Sequence, residues 1–190
     1  MSLQTKSVQK PTALSDLGLS DLFVHGLKDI YYAEKKIEKS LPKLIKAAQS
    51  HNLTEALTDH LAETTEHVAK LEKIFAVLDM KPMATKCAAI EGILEEAQSI
   101  MDQFGKTRAG DAAIIFAAQA VEHYEITRYG SLHAFAHVLG FEQVAEIICS
   151  ILKQEKSADE KLTQLAEARI DFAAATVEAV VSEAHREVTH

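Results

Sequence analysis

Four stretches of the chain carry apolar residues at alternating spacings of three and four, the repeat of one face of an α-helix. The first contains Phe23, Leu27, Ile30, Glu34, Ile37, Leu41, Leu44 and Ala48, and the second Leu57, His60, Thr64, His67, Leu71, Ile74 and Leu78. The third contains Ile115, Ala118, Glu122, Glu125, Tyr129, Leu132, Ala136 and Leu139, and the fourth Val144, Ile148, Ile151, Glu155, Ala158, Leu162 and Leu165. Starts and stops follow from local chemistry. Ser20-Asp21 supplies an N-cap for a first helix that runs to about Gln49, with a kink or break expected at Pro42. Ser50-His51-Asn52 reads as a turn before a second helix from about Leu53 to Leu78, closed by Asp79-Met80-Lys81-Pro82. A short helix from about Thr85 to Phe104 follows, and Gly105 and Gly110 bracket the next break. A long helix from about Asp111 to Leu139 ends at Gly140, and another runs from about Glu142 to Ala166.

Four such seams and two tight hairpins predict an all-α protein, a four-helix bundle with coiled-coil-like packing. The ~30-residue link between the hairpins holds a helix long enough to travel back along the bundle, so one long crossover containing a short helix is expected. Residues 1–15 read as a loose N-terminal arm, 16–168 as the bundle, and 169–190 as a C-terminal helix docking on the bundle or a partner.

Composition narrows the class. Only 3 Pro and 7 Gly occur in 190 residues, too little turn chemistry for a β-rich fold. A net charge of −8 argues against nucleic acid, whose binding rests on phosphate neutralisation by Lys and Arg. No run approaches the ~20 apolar residues that cross a bilayer, and residues 1–12 hold no signal-like apolar stretch. Cys87 and Cys149 lie far apart and read as buried thiols of a reducing, cytoplasmic compartment.

Each seam is apolar except near its middle, where Glu and His intrude. They are Glu34 in the first helix, His60, Glu63 and His67 in the second, Glu122 and Glu125 after the crossover, and Glu155 with Asp159 in the last. Buried carboxylates without partners are costly, and they neutralise, pair or bind a cation. No Lys or Arg occupies the seams beside them, which favours a cation. Counting along the hairpins, Glu34 stands about 17 residues before its turn and Glu63 to His67 about 12 to 16 after it. Glu125 stands about 15 residues before the second turn, and Glu155 and Asp159 about 15 to 19 after it, so all fall in one layer. Facing carboxylates with imidazole suit two iron or manganese ions, whereas so many carboxylates exceed a tetrahedral zinc site.

Plainer readings stand beside these. The glutamates could be Glu–Lys surface pairs, and His60 and His67 could each ligate a metal or only hold a carboxylate by hydrogen bond. His123 reads as packing or a supporting donor. Tyr31, Tyr32, Tyr124 and Tyr129 read as core aromatics before electron relays. His133 and His137, four residues apart, lie two to three turns from the layer, where either surface polarity or a surface metal accounts for them.

The residues also resemble a known family, the ferritin-like bacterial stress proteins of the YciE/YciF type. Over residues 20–168 the resemblance rests on Asp29-Ile30-Tyr31-Tyr32-Ala33-Glu34-Lys35, on His60-Leu61 with Glu63-Thr64, and on Lys86-Cys87 with Ile90-Glu91-Gly92. It continues in Val121-Glu122-His123-Tyr124-Glu125 and in Glu155-Lys156 with Ala158-Asp159. It implies a rubrerythrin-like four-helix fold, a homodimer and a di-metal centre; by the donor types two irons are the expected cofactor, with manganese or zinc as alternatives. Glu63 and Glu155 are then candidate bridges, Glu34 and Glu125 flank or bridge, and His67, Glu122 and Asp159 complete the shell. The strict Glu-x-x-His pattern of ferritins is absent. Helix two offers His60-x-x-Glu63 and Glu63-x-x-x-His67 instead, and Asp159 stands where a His is usual. A rubredoxin-like cysteine module is also missing, so peroxide, dioxygen or ferrous-iron chemistry would need an external electron donor. The reading from a different class is a structural or interaction module, favoured by the apolar segment from Phe172 to Val181.

Overall fold

The structure, a computed structural model, describes residues 17–175. The chain forms α1 (Leu19–Ala47), α2 (His51–Val77), α3 (Ala88–Phe104), α4 (Gly110–Val138) and α5 (Glu142–Leu165), followed by a π-helical turn (Ala166–Ile170). There is no strand among the described residues. Residues 171–175 are again α-helical, and the rest of the expected C-terminal helix and the whole N-terminal arm lie outside the described residues.

The expected helices are present, with boundaries corrected by local hydrogen bonding. Gly18, not Ser20-Asp21, caps α1. Asp21 sits three residues in, and its carboxylate accepts the Gly18 N–H at 2.8 Å. Helix α1 continues through Pro42, because that residue faces solvent. The carbonyl that loses its partner there can turn to water, while Ile37 and Leu41 hold the seam on either side. His51 and Asn52 open α2 rather than belonging to a turn. Ser50 is its N-cap, accepting the Leu53 N–H at 3.4 Å. The crossover helix starts at Ala88 rather than Thr85, with the Cys87 sulfur as cap acceptor. Gly140, at φ 74°, adopts the left-handed conformation that ends α4, as its position predicts.

Helix neighbours run round a ring, α1 on α2, α2 on α5, α5 on α4 and α4 on α1, with α3 laid outside against α4. Asp111, at the start of α4, accepts the backbone N–H groups of Gln49 and Ser50 at 2.8 Å each. The start of α4 therefore meets the α1–α2 turn, and α2 and α4 run parallel. At the other end Phe141 packs on Phe23, rings 5.8 Å apart, so α5 starts where α1 starts. Parallel α2 and α4 require a return over the bundle's length, which α3 provides. The seams bury as read: Phe23, Leu27, Ile30, Ile37, Leu41, Leu57, Leu71, Ile74, Leu132, Ile148 and Ile151 are all within the core. Burial becomes partial at the seam ends, at Leu44, Ala48, Leu139 and Leu165, and within the fourth seam at Ala158, beside the polar layer. Both cysteines are free thiols, Cys87 buried and Cys149 half-buried.

Candidate metal centre

The middle of this core is polar. Glu34, His60, His67, Glu122, Glu125 and Glu155 are each at most 6% exposed, and they come from α1, α2, α4 and α5. Seam spacing puts them there: each occupies a position that would otherwise hold an aliphatic side chain. Their donor atoms converge in two groups. One comprises His60, Glu122, Glu125 and Glu155, and the other Glu34, His67 and Glu155, with ligand atoms inside each group within 4.8 Å of one another. Glu155 belongs to both.

The side chains lie at ion-pair distance from one another. His60 Nε2 lies 3.2 Å from Glu122 Oε1. His67 Nδ1 lies 3.0 Å from Glu155 Oε1 and 3.4 Å from Glu34 Oε1. Among the described residues nine buried atoms of the cluster, including both oxygens of Glu125 and of Glu155, have no hydrogen-bond partner. Native interiors leave few such atoms. Carboxylate oxygens and imidazole nitrogens without protein partners are a donor set that fits a metal ion.

Two of the eight expected residues stand apart. Glu63 lies about 60° round α2 from His60. That offset moves it to the flank of the seam, where its side chain is 38% exposed and its Oε2 is 3.9 Å from His60 Nδ1. It borders the cluster instead of bridging it. Asp159 is one turn beyond Glu155, opposite a different part of α4. There it accepts the Gln119 amide at 3.1 Å and pairs with His123 Nε2 at 3.4 Å.

The sequence matches DUF892, a domain of unknown function, across residues 18–175. The chain belongs to the DUF892 family. Protein YciF of Escherichia coli (strain K12) is 39% identical over 149 residues, covering 78% of this chain and 90% of YciF. The crystal structure of that E. coli stress protein superposes with a TM-score of 0.77 at 37% identity, covering 81% of this chain and 98% of the other. YcfI of Rhodopseudomonas palustris, a protein to which a structural role has been ascribed, gives 0.77 at 42% identity, covering 80% and 96%. A Xanthomonas campestris pv. campestris protein, at 22% identity and a TM-score of 0.61, shares the fold.

In this DUF892 chain the cluster's surroundings fix its side chains. Tyr129, fully buried, donates its hydroxyl proton to Glu34 Oε1. His67 Nε2 faces Gln154 Oε1 at 3.3 Å, and Lys70 Nζ donates to the same oxygen at 2.7 Å. Once a cation takes the place of the Nδ1 proton, an Nε2–H donated to Gln154 would leave His67 Nδ1 free to ligate it, the supporting arrangement common for metal-ligating imidazoles. Gln154 and Lys70 escaped sequence reasoning because each is one step off the seam. The adjacency of Gln154 to Glu155 was the only available signal.

Without a cation the cluster of this family member holds protons. Burial raises the carboxyls of Glu34, Glu122 and Glu125, and neighbouring Glu155 reinforces the rise, taking Glu122 to about 8. Burial alone would lower the histidines. The surrounding carboxylates, Glu122 and Glu63 for His60 and Glu155 and Glu34 for His67, outweigh it and raise them to about 9 and about 10. Among the described residues no helix is long and apolar enough to cross a membrane.

Proposed function

We propose that this protein is a two-metal carboxylate protein that holds a pair of iron ions. In this reading it consumes peroxide or dioxygen, or oxidises ferrous iron, under stress. The observation that carries the reading is Glu155, a carboxylate common to two donor groups, which is what two cations held side by side require. Iron is favoured over magnesium and calcium because each group includes an imidazole, and over a lone zinc because carboxylates dominate both. When bound, an iron pair supplies reversible electron transfer to a small oxidant. The protein's own part is to hold the donors and keep the site dry. Tyr129 anchors Glu34, Gln154 orients His67, and the aliphatic layers above and below exclude bulk water. Electrons for repeated turnover come from an external donor, and the chain works as a homodimer.

The test is metal content and reactivity. Protein from iron-supplemented cells is expected to carry about two irons per chain, lost in a Glu34→Ala, Glu155→Ala variant, and to change its optical spectrum with peroxide. A folded wild-type protein without metal overturns the reading. It would leave the second one, a structural or interaction module, which the role ascribed to the R. palustris relative favours.

A further inference from the structure

Helix α2 carries Glu55, Asp59 and Glu63 at intervals of four, so the three carboxylates climb one face of the helix. Glu55 and Asp59 border an outer groove between α2 and the end of α5. Asp59 and Glu63 border an inner cavity of about 130 Å³, walled by Leu57 and Ala158, that ends on His60 and Glu122. Both ring nitrogens of His60 and Oε2 of Glu122 lack hydrogen-bond partners among the described residues, and these side chains are only 8% and 2% exposed. Asp59 and Lys161 line both spaces. Where the spaces meet, Lys161 Nζ sits 2.9 Å from Asp59 Oδ2.

The opposite side of the centre differs. A groove on the Gln154 side is lined by Lys70, Lys153, Gln154, Glu146, His133 and His137 and by no residue of the cluster; Gln154 Oε1 accepts from Lys70 Nζ and faces His67 Nε2. This groove ends at Gln154 and does not reach the donors of the Glu34–His67 position. The two metal positions are thus unequal in access: the Glu34–His67 position is enclosed, while His60 and Glu122 face a cavity with an acidic approach.

We infer that this cavity is the path by which a divalent cation reaches and leaves the centre. It serves the position of His60, Glu122 and Glu125, and the Glu34–His67 position exchanges slowly. Lys161 is the counter-charge at the mouth: an arriving cation displaces its ammonium from Asp59, and Glu63 passes the cation to His60 and Glu122. The cavity admits a cation with part of its water shell, since a space of about 150 Å³ holds nothing larger than benzene. The inference rests on the two-metal reading.

Co²⁺ alone is the probe, followed by its visible absorption as loaded protein is mixed with excess EDTA. Two ions are expected to leave in two phases at least about tenfold apart. Lys161→Ala should accelerate the fast phase several-fold by unmasking the acidic approach. Ala158→Phe, which fills the cavity without removing a donor, should slow the fast phase about tenfold while two ions still bind at saturation. Two bound ions released at one rate would overturn the path. So would a folded Ala158→Phe protein releasing as fast as wild type. Should that variant not fold, an unchanged fast phase in both Lys161→Ala and Asp59→Asn decides against it. Failure of wild type to bind Co²⁺ is read separately from stoichiometry, and it removes the two-metal reading together with this one.

Discussion

Glu125 offers the sharpest test of what the polar layer costs the fold. It is 1% exposed, and neither carboxylate oxygen has a hydrogen-bond partner among the described residues. Leaving such a group buried costs roughly 1–3 kcal/mol, and exchanging buried ionic groups for apolar ones of similar volume commonly stabilises by about 1–4 kcal/mol. Methionine matches the length of glutamate and adapts to an irregular space. Glu125→Met is therefore expected to stabilise the metal-free protein by roughly 1–3 kcal/mol, a rise in Tm of about 3–10 °C for a chain of this size. The same substitution removes one donor from the His60 group, so iron should stabilise the variant less than the wild type. The pH dependence has a definite sign. Burial, then Glu155, Glu34 and Glu122, raise the Glu125 carboxyl far above its ordinary range. The folded metal-free wild type then holds a proton that the unfolded chain has released above about pH 4.5, and it loses stability as pH rises. The methionine variant has no such proton, so its advantage should widen between pH 5 and 8. Circular-dichroism melts with EDTA and with ferrous iron, at both pH values, provide the assay. A variant less stable than wild type without metal, or an advantage that narrows with pH, would refute the reasoning.

Three further expectations follow from the same geometry. Folded-state values of about 8 for Glu122, 9 for His60 and 10 for His67 lie above the unfolded ones. The contribution of Glu122 to metal-free stability is therefore full below its unfolded pKa and lost by about pH 8, and those of the histidines fade as pH passes 9 to 10. Metal binding must expel these protons, so calorimetry in buffers of different ionisation enthalpy should show proton release, and the metal-induced rise in Tm should be larger at pH 8 than at pH 5.5; equal rises would contradict it. Asp111→Ala removes the acceptor of two backbone N–H groups at the α1–α2 turn and should cost about 1–3 kcal/mol in denaturant unfolding, and a loss below about 0.3 kcal/mol would mean water replaces it. Tyr129→Phe deprives Glu34 of its buried donor and should lower metal-free stability by about 1–2 kcal/mol and weaken metal binding about 10–100-fold; wild-type affinity in a titration would mean that the hydroxyl does not hold Glu34 for the metal.

The layer of Glu and His was legible because helical seams are one-dimensional. A residue's place in a three-four repeat fixes its face, and counting from a hairpin fixes its height. Glu34, Glu122, Glu125 and Glu155 needed nothing more. Glu63 and Asp159 exposed the limit of that arithmetic. An offset of 60° on the wheel is the difference between facing the cluster and flanking it. One turn along α5 exchanges the cluster for Gln119 and His123 as neighbours. His60 and His67 were placed in the core by spacing, but only the packed side chains divide them, one to each donor group.

By itself, then, the sequence determined the all-α class, the two hairpins, the crossover and the polar layer, since these depend on local periodicity and on chain length between turns. Tertiary structure alone decided that Glu155 is common to both groups, and that Tyr129 and Gln154 hold the donors from behind. It alone also set the acidic approach beside a closed opposite side. These depend on distances between residues as far apart as 102 positions in the chain, as in Lys161 and Asp59. No periodicity encodes such distances, because the docking of four side-chain surfaces sets them only once the bundle has closed.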